Sequence, residues 1–305
     1  MTAAPHRFGH IALVGAPNTG KSTLVNALVG QKISIVSSKP QTTRSRITAI
    51  ALHEQAQLVL VDTPGLFEGD VGALSKHMRR SIRDGLQLVD AVCLLLDAKQ
   101  GDAARKATLT RVLEFISTAA SPVPLLLCFT KTDLIKKGEV LERLEWAARE
   151  CPEAHSYHAL AAPKGGGLPV LLNTLSSLVP EQPWHFDPEQ ISTLPMQLLA
   201  AECTREQLFQ RLHQELPYGV TVVPQSWEEK PRRSPKIYQQ ILVSRDSHKP
   251  MMIGRGGATL KAIGEDARAA IGELLGKPVH LFLHVKVEPN WETMPEYQAL
   301  LNPDM

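Results

Sequence analysis

The residues with the clearest chemical meaning stand close to the start of the chain, in a loop rich in glycine. Residues 15–22 read Gly-Ala-Pro-Asn-Thr-Gly-Lys-Ser and match the pattern G-x-x-x-x-G-K-[ST]. Such a loop curls so that its backbone N–H groups face a chain of phosphates, and the following helix adds the positive end of its dipole. In this chemistry Lys21 reaches the β- and γ-phosphates, and the Ser22 hydroxyl binds Mg²⁺. The motif predicts a nucleoside triphosphate site made by Gly15, Ala16, Pro17, Asn18, Thr19, Gly20, Lys21, Ser22 and Thr23.

Two further segments carry groups that such a site needs around Mg²⁺ and the γ-phosphate. An Asp-Thr-Pro-Gly sequence comes directly after an apolar strand-like run; its residues are Asp62, Thr63, Pro64 and Gly65. A carboxylate at this place suits an outer contact to Mg²⁺, and the N–H of Gly65 suits the γ-phosphate. Thr43, in the polar segment 40–44, is predicted to close over Mg²⁺ when the triphosphate is bound, with Thr42 as the alternative.

A fourth segment selects the base. Residues 130–133 read Thr-Lys-Thr-Asp at the end of an apolar run, and Thr130, Lys131 and Asp133 are predicted to contact the nucleotide. The Asp133 carboxylate accepts two hydrogen bonds from guanine N1–H and N2–H, and adenine offers no such pair of donors. The phosphate-binding loop alone would also fit an ATPase. The Asp133 segment therefore favours GTP over ATP.

The elements that must position these motifs alternate between strands and helices. This alternation predicts an α/β fold with a doubly wound, mostly parallel sheet. The expected strands cover residues 10–14, 47–53, 57–61, 91–96 and 124–129, and the expected helices cover residues 21–29, 103–117 and 139–149.

The C-terminal third has a different character. Residues 180–195 contain four prolines and read as a linker. The predicted domains are therefore a P-loop GTPase domain over residues 1–180, a linker over 181–195, and a smaller α+β domain with a tail over 196–305. The last domain is expected to contain helices over 196–216 and 259–275 and strands over 220–227, 236–244 and 279–287.

A Gly-x-x-Gly loop lies between two apolar helical stretches of this domain, at residues 254–257. Such a loop lets helix N-termini and a basic residue approach a nucleic-acid backbone, although a plain helix–turn–helix corner also accounts for it. Residues 230–261 contain eight Lys and Arg against one Asp, which is a local footprint for a polyanion. The predicted RNA-binding residues are Lys230, Arg232, Arg233, Lys249, Ile253, Gly254, Arg255, Gly256, Gly257 and Lys261.

In order and spacing, the four N-terminal segments resemble the translation-factor-related GTPases. The Pro-Gln-Thr-Thr-Arg sequence at 40–44 and the C-terminal order of elements resemble the Era family of bacterial GTPases with a type II KH domain. This resemblance implies a GTPase switch that binds the 3′ end of small-subunit (16S) rRNA during 30S subunit assembly. It also implies a last guanine-contacting loop, usually Ser-Ala-Leu, which we match to His158, Ala159 and Leu160. The family usually has Asn, with its amide, where Thr130 stands.

The predicted hydrolysis relies on positioning and charge. Leu66 stands where many switch GTPases have the glutamine that orients water, so the phosphate-binding loop, Lys21 and Mg²⁺ must neutralise the developing charge. By the same resemblance, Asn18 is expected to hold a K⁺ ion that stimulates turnover. The alternative is a loop asparagine that tolerates an unusual backbone angle. The residues predicted to act in catalysis are Lys21, Thr43, Gly65 and Asn18.

The composition and charge of the chain limit which partners and which cellular compartment are expected. The formal net charge is +2, so any signal for a polyanion must be local, and the four cysteines show neither disulfide nor zinc spacing. We find no secretory signal and no apolar run of about 18 residues, and we expect a cytoplasmic monomer. The open alternative is a regulatory GTPase at the inner face of the cell membrane, whose basic C-terminal domain binds anionic lipid.

Overall fold

The computed structural model describes residues 5–34, 48–62, 89–117, 122–212, 219–291 and 294. Its contacts group residues 5–32, 48–62, 89–117 and 122–193 in an N-terminal unit, and residues 33 and 34 with the described residues from 194 onward in a C-terminal unit. Among the described residues, no helix is both long and apolar enough to cross a membrane.

The N-terminal unit is built on a six-stranded sheet in the order β2-β3-β1-β4-β5-β6. Strand β2 runs antiparallel to β3, and the other neighbours are parallel. The strands β4 and β5 consist almost entirely of buried apolar residues, as expected for a sheet covered on both faces. The strands are β1 (Arg7–Gly15), β2 (Thr48–His53), β3 (Ala56–Asp62), β4 (Ala91–Asp97), β5 (Leu125–Thr130) and β6 (Ser156–Ala159).

The described residues of this unit form the helices α1 (Lys21–Val29), α2 (Asp102–Ile116), α3 (Lys137–Glu150) and α4 (Leu168–Leu178). Trp146 of α3 and Val112 of α2 pack with Phe129 and the apolar residues of β4 in one buried cluster. Glycines with positive φ cap two of these helices: Gly30 follows the last residue of α1, and Gly167 precedes the first residue of α4. The predicted P-loop domain with a mostly parallel sheet is confirmed.

The proline-rich segment after α4 has almost no regular structure, yet it lies against the N-terminal unit. The side-chain oxygen of Gln57 accepts hydrogen bonds from the N–H groups of His185 and Phe186, at 3.1 and 3.0 Å. The rings of Phe8 and His185 stack with centroids 3.9 Å apart. Ile50 donates its N–H to the carbonyl oxygen of Ile191, and Thr193 donates to Thr48. The limits 1–180, 181–195 and 196–305 stay a prediction, and the segment is a docked strap rather than a free spacer.

The C-terminal unit is an α+β domain with a three-stranded sheet. Its helices are α5 (Met196–Arg211), α6 (His248–Ile253) and α7 (Ala258–Leu275), and its strands are β7 (Val220–Glu228), β8 (Lys236–Val243) and β9 (His280–Val287). The order is β7-β8-β9, with β7 antiparallel and β9 parallel to the central strand. Leu208 of α5 and Ile263 of α7 pack on Ile241 and Val285, so these helices cover one face of the sheet.

Candidate functional site

The loop between β1 and α1 has the curled backbone that its sequence predicts. Asn18 and Gly20 adopt left-handed conformations, with φ of 61° and 93°. The Lys21 ammonium folds back over the loop and donates to the carbonyl oxygens of Gly15 and Ala16, at 2.8 and 3.2 Å. The Thr19 hydroxyl also donates to Ala16, at 2.8 Å. The loop therefore has its curl fixed by its own side chains, as a phosphate cradle requires.

The packing leaves no room for a larger residue at the start of this loop. A Cβ on Gly15 would lie 2.7 Å from the carbonyl oxygen of Leu95 and equally close to the Thr19 hydroxyl. No acceptor is recorded, within the described ranges, for the backbone N–H groups of Asn18 and Gly20. These donors and the first turn of α1 fit the phosphates of a nucleotide.

The predicted Mg²⁺ ligands are only partly placed. Ser22 and Thr23 lie half-buried in the first turn of α1. Asp62 is the last residue of β3, and its backbone pairs with Leu13 of β1, the strand that leads into the phosphate loop. Thr43 and residues 63–65 lie outside the described residues. The arrangement brings the end of β3 beside the strand that precedes Ser22, as a Mg²⁺ site needs.

The base-recognition segment is tied to the phosphate loop by two side chains. The buried Thr130 hydroxyl donates to the carbonyl oxygen of Thr19 at 2.6 Å. The Lys131 ammonium donates to the carbonyl oxygen of Asn18 at 2.7 Å and to the Asp97 carboxylate at 2.6 Å. A threonine here therefore ties the two loops together without the side-chain amide that the sequence resemblance implies at this position.

Asp133 lies in a short turn, Thr132–Leu134, and its side chain is only 14 % exposed. The Lys164 ammonium lies 3.5 Å from one of its carboxylate oxygens. Lys164 ends a second short turn, Ala162–Lys164, that directly precedes α4. The carboxylate that would read guanine is thus partly desolvated and already faces a cation.

His158, Ala159 and Leu160, which the resemblance assigned to the last base-contacting loop, lie in β6 and directly after it, and their contact with the base stays a prediction. His158 is buried within β6, where burial and then His155 lower its pKa, and its Nε2 pairs with the Ser156 hydroxyl at 2.9 Å. Leu160 donates its N–H to Phe129 at 2.7 Å, so that donor is already used by the sheet. His158 therefore supports the wall of the site from inside the sheet, and the N–H group of Leu160 is not available to a base in this arrangement.

The turn Ala162–Lys164 is the better candidate for the last base-contacting loop. It reaches Asp133 through Lys164, and its first N–H, on Ala162, has no acceptor recorded in the described part of the chain. The Pro-Lys-Gly-Gly-Gly sequence at 163–167 is a strong turn signal just ahead of a helix. This turn signal points to the loop, whereas a search for Ser-Ala-Leu selects His158, Ala159 and Leu160 and does not find it.

In the C-terminal unit, the Gly-x-x-Gly loop connects α6 to α7 as predicted. Gly254, Gly256 and Gly257 all have positive φ. A Cβ on Gly254 would lie 2.2 Å from the Thr259 hydroxyl, so this glycine is required by packing. Nothing lies within 4 Å of a Cβ on Gly256 or Gly257. The open side of the loop is therefore free for the close approach of a nucleic-acid backbone.

The basic residues of this unit do not form one continuous footprint. Lys249, Arg255 and Lys261 lie on or beside the Gly-x-x-Gly loop, with Ile253 partly buried behind it. Lys230, Arg232 and Arg233 lie in the turn between β7 and β8, at the end where Glu228 pairs with Lys236. The other end of β8 leads to α6 and the loop. The two groups are separated by the length of α7, 18 residues or about 27 Å.

The fold and these two sites define a P-loop GTPase joined to a KH domain. The family described as 50S ribosome-binding GTPase matches residues 10–131, and the family described as KH domain matches residues 215–292. The chain is 44% identical to GTPase Era of Bradyrhizobium diazoefficiens, with 96% of this chain and 93% of that one covered. It is 45% identical to GTPase Era of Afipia carboxidovorans, with the same coverage. The chain belongs to the Era family and is a GTPase.

Two solved structures resemble the whole chain. One is a variant of Era from Aquifex aeolicus bound to GDP and aluminium fluoride, with a TM-score of 0.85. The other is Era in complex with MgGDPNP and nucleotides 1506–1542 of 16S ribosomal RNA, with a TM-score of 0.82. Each is 32% identical, and each match covers 98% of this chain and 100% of the other.

Proposed function

We propose that this GTPase binds the unpaired 3′ end of 16S rRNA in its GTP form and acts in the assembly of the 30S subunit, as a monomer in the cytoplasm. The observation that carries the proposal is the open Gly-x-x-Gly loop, with Gly256 and Gly257 clear of neighbours and Arg255 beside them. A KH loop of this kind clamps about four nucleotides of a single strand. The related Era that was solved with a 16S rRNA segment supports the choice of RNA.

The test is the affinity for a short unpaired RNA with the sequence of the 16S 3′ end. It compares the protein loaded with a GTP analogue, the GDP form, and a Gly256→Asp variant. We expect tight binding by the GTP form, weaker binding by the GDP form, and loss of binding in the variant. Gly30→Asp is the matched control, because Gly30 also has positive φ and open space around it but belongs to the N-terminal unit.

Equal and weak binding in every case would refute the rRNA proposal. In that event, vesicles with and without anionic lipid would test the membrane-associated alternative, which predicts binding that rises with the anionic fraction and falls with salt.

We also propose that Mg²⁺ is held by Ser22 and Thr43 and, from further out, by Asp62. The residues that are described fit this role, because Ser22 lies in the first turn of α1 and Asp62 ends the neighbouring strand β3. Bound Mg²⁺ would neutralise charge on the β- and γ-phosphates. The chain's own contribution is the Lys21 ammonium, which donates to the carbonyl oxygens of Gly15 and Ala16 in this structure and would turn to the phosphates of a bound nucleotide.

The role of Asn18 as a K⁺ ligand is a separate proposal, and a single substitution can separate it from a purely structural role. Asn18 has φ of 61°, which asparagine tolerates, so the backbone alone could account for this residue. Asn18→Gly keeps that backbone conformation but removes the amide. If Asn18 binds K⁺, the wild type hydrolyses GTP faster in K⁺ than in Na⁺, and the variant loses the difference. Equal rates in both salts for the wild type would exclude the K⁺ role.

A further inference from the structure

A buried arginine lies in the first turn of α2. The side chain of Arg105 is 0 % exposed, and its guanidinium lies 5.2 Å from the centre of the Trp146 ring. Burial, and then the neighbouring Arg143, lower the pKa of this guanidinium. Its acidic partner, Asp102, is mostly exposed, so this ion pair offsets only part of the lost hydration of a buried charge. An apolar side chain of similar size would pack here more favourably, so the buried charge needs another explanation.

The guanidinium binds the turn that follows β4. Arg105 donates to the carbonyl oxygens of Ala98 and Gln100, at 3.4 and 2.5 Å. Arg143, which lies on α3, donates its Nε–H to the same oxygen of Ala98 at 3.2 Å. Two like charges from two helices thus meet at one carbonyl group, although they repel each other. Together they fix the position of Ala98 against both helices.

This turn carries the acidic partner of Lys131. Asp97 is the last residue of β4 and directly precedes Ala98. One of its carboxylate oxygens accepts a hydrogen bond from the Lys131 ammonium at 2.6 Å, and the other accepts one from the N–H of Lys99 at 2.9 Å. Ala98 donates its own N–H to the carbonyl oxygen of Thr130 at 3.1 Å. The position of Ala98 therefore sets where the carboxylate meets the base-recognition segment.

The backbone of Lys131 needs support of this kind. Its φ of 58° lies in the left-handed region, which is strained for a residue with a side chain. Such strain persists only where the surrounding contacts over-determine the conformation. The Lys131 ammonium contacts the Asp97 carboxylate and, at 2.7 Å, the carbonyl oxygen of Asn18. If the carboxylate moved away, only the second of these two contacts would remain.

We infer that Arg105 and Arg143 are positioning residues for nucleotide binding. They fix the carbonyl oxygen of Ala98 and with it the adjacent Asp97 carboxylate, and that carboxylate holds Lys131 against the phosphate loop. Neither arginine touches the nucleotide. GDP and GTP share the base, so breaking the network should weaken the binding of both equally and leave kcat unchanged. The network belongs to the nucleotide site, so a failure of the rRNA proposal would not affect it.

The test is a double-mutant cycle on the full chain. Arg143→Met removes one donor to Ala98 and keeps an unbranched side chain, and because the arginine side chain is 20 % exposed we expect the variant to fold. The same substitution is made together with Lys131→Met. For all four proteins of the cycle, titration with a fluorescent GDP and with a GTP analogue gives the Kd, and steady-state hydrolysis gives kcat and KM. Arg149→Met is the matched control, because Arg149 is an exposed residue of the same helix whose acidic neighbour is Glu150.

We expect Arg143→Met to raise the Kd for GDP and for the GTP analogue about fivefold, and to change neither when Lys131→Met is also present. The KM for GTP should rise in parallel while kcat stays the same, and Arg149→Met should match the wild type. An equal rise with and without Lys131 would mean that Arg143 acts through general stability, and it would overturn the inference. An unchanged Kd in Arg143→Met, or a lower kcat at an unchanged KM, would overturn it as well.

Two more variants test the other members of the network. Asp97→Asn keeps the shape of the side chain but removes its charge, so it should raise the Kd, and adding Arg143→Met should then have little further effect. A further rise of about fivefold in that double variant would exclude the route through Asp97 and overturn the inference. Arg105→Met should behave like Arg143→Met if urea denaturation shows that it folds cooperatively. If it does not fold, the Arg143 cycle decides the outcome alone.

Discussion

The Thr130 hydroxyl offers a direct test of how the base-recognition segment is coupled to the phosphate loop. Thr130→Val keeps the shape of the side chain and removes its donor to the Thr19 carbonyl oxygen, 2.6 Å away in a buried environment. A buried acceptor that loses its partner costs about 1–3 kcal/mol. Both loops are predicted to contact the nucleotide, so we expect the substitution to weaken nucleotide binding as well. A loss of about 1.4 kcal/mol would raise the Kd for GDP about tenfold.

The assay is a titration with a fluorescent GDP, together with chemical denaturation of the nucleotide-free protein. Thr132→Val is the matched control, because Thr132 lies two residues further on and has no side-chain hydrogen bond recorded in the structure. Thr130→Asn should retain binding, since an amide donor can reach the same carbonyl. A Kd for GDP that is unchanged in Thr130→Val would refute the idea that this hydroxyl ties the two loops together.

Three further predictions concern the same unit. Lys164→Ala should lower the Kd for GDP by at most about fivefold, because the exposed lysine competes with guanine for Asp133 and such a pair contributes under about 1 kcal/mol. The decrease in Kd should be larger at low salt than at high salt. A higher Kd in the variant would contradict this prediction. Gly167→Ala should lower the free energy of unfolding, measured by urea denaturation, by about 3 kcal/mol, because φ is 77° and the new Cβ would lie 2.2 Å from a carbonyl oxygen. Gly165→Ala is the control: φ is similar, at 71°, but the space is open, so this variant should lose only about 1 kcal/mol. Burial lowers the pKa of His158, so the unfolded chain takes up this proton before the folded one, and the free energy of unfolding falls as the pH drops below about 6.5. His158→Gln should lose less free energy of unfolding than the wild type between about pH 7 and about pH 5.5. An equal loss in both proteins would show that His158 does not contribute.

Much of the N-terminal unit could be predicted from the sequence because its strands are uniformly apolar and its motifs stand at their ends. The predicted and observed limits of α1 agree, β4 is one residue longer than predicted at its C-terminal end, and β5 is shifted by one residue at both ends. Helix α4 was not predicted, because its Leu-rich stretch lacks a charged face and follows a run of glycines. Helix α5 was predicted to reach residue 216, whereas it ends at Arg211, and residues 213–218 lie outside the described part of the chain.

Only part of the candidate site could be predicted from the sequence. The phosphate loop and Asp133 were found by spacing alone, because their chemistry requires fixed residue types in a fixed order. The last base loop is hard to locate from the sequence, because a contact through a backbone N–H leaves no mark on residue type. The two groups of basic residues looked continuous because they are close in sequence, and only the fold places them at opposite ends of a helix.

The docked strap changes how this chain should be divided for experiment. Residues up to Thr193 are fastened to the edge of the N-terminal sheet, with Ile191 and Thr193 bonded to the first residues of β2. Only Leu194 and Pro195 lie between this strap and the start of α5 at Met196. A truncation after residue 180 would strip Gln57 of three hydrogen bonds and expose the ring of Phe8, so the isolated GTPase unit should be ended at Thr193.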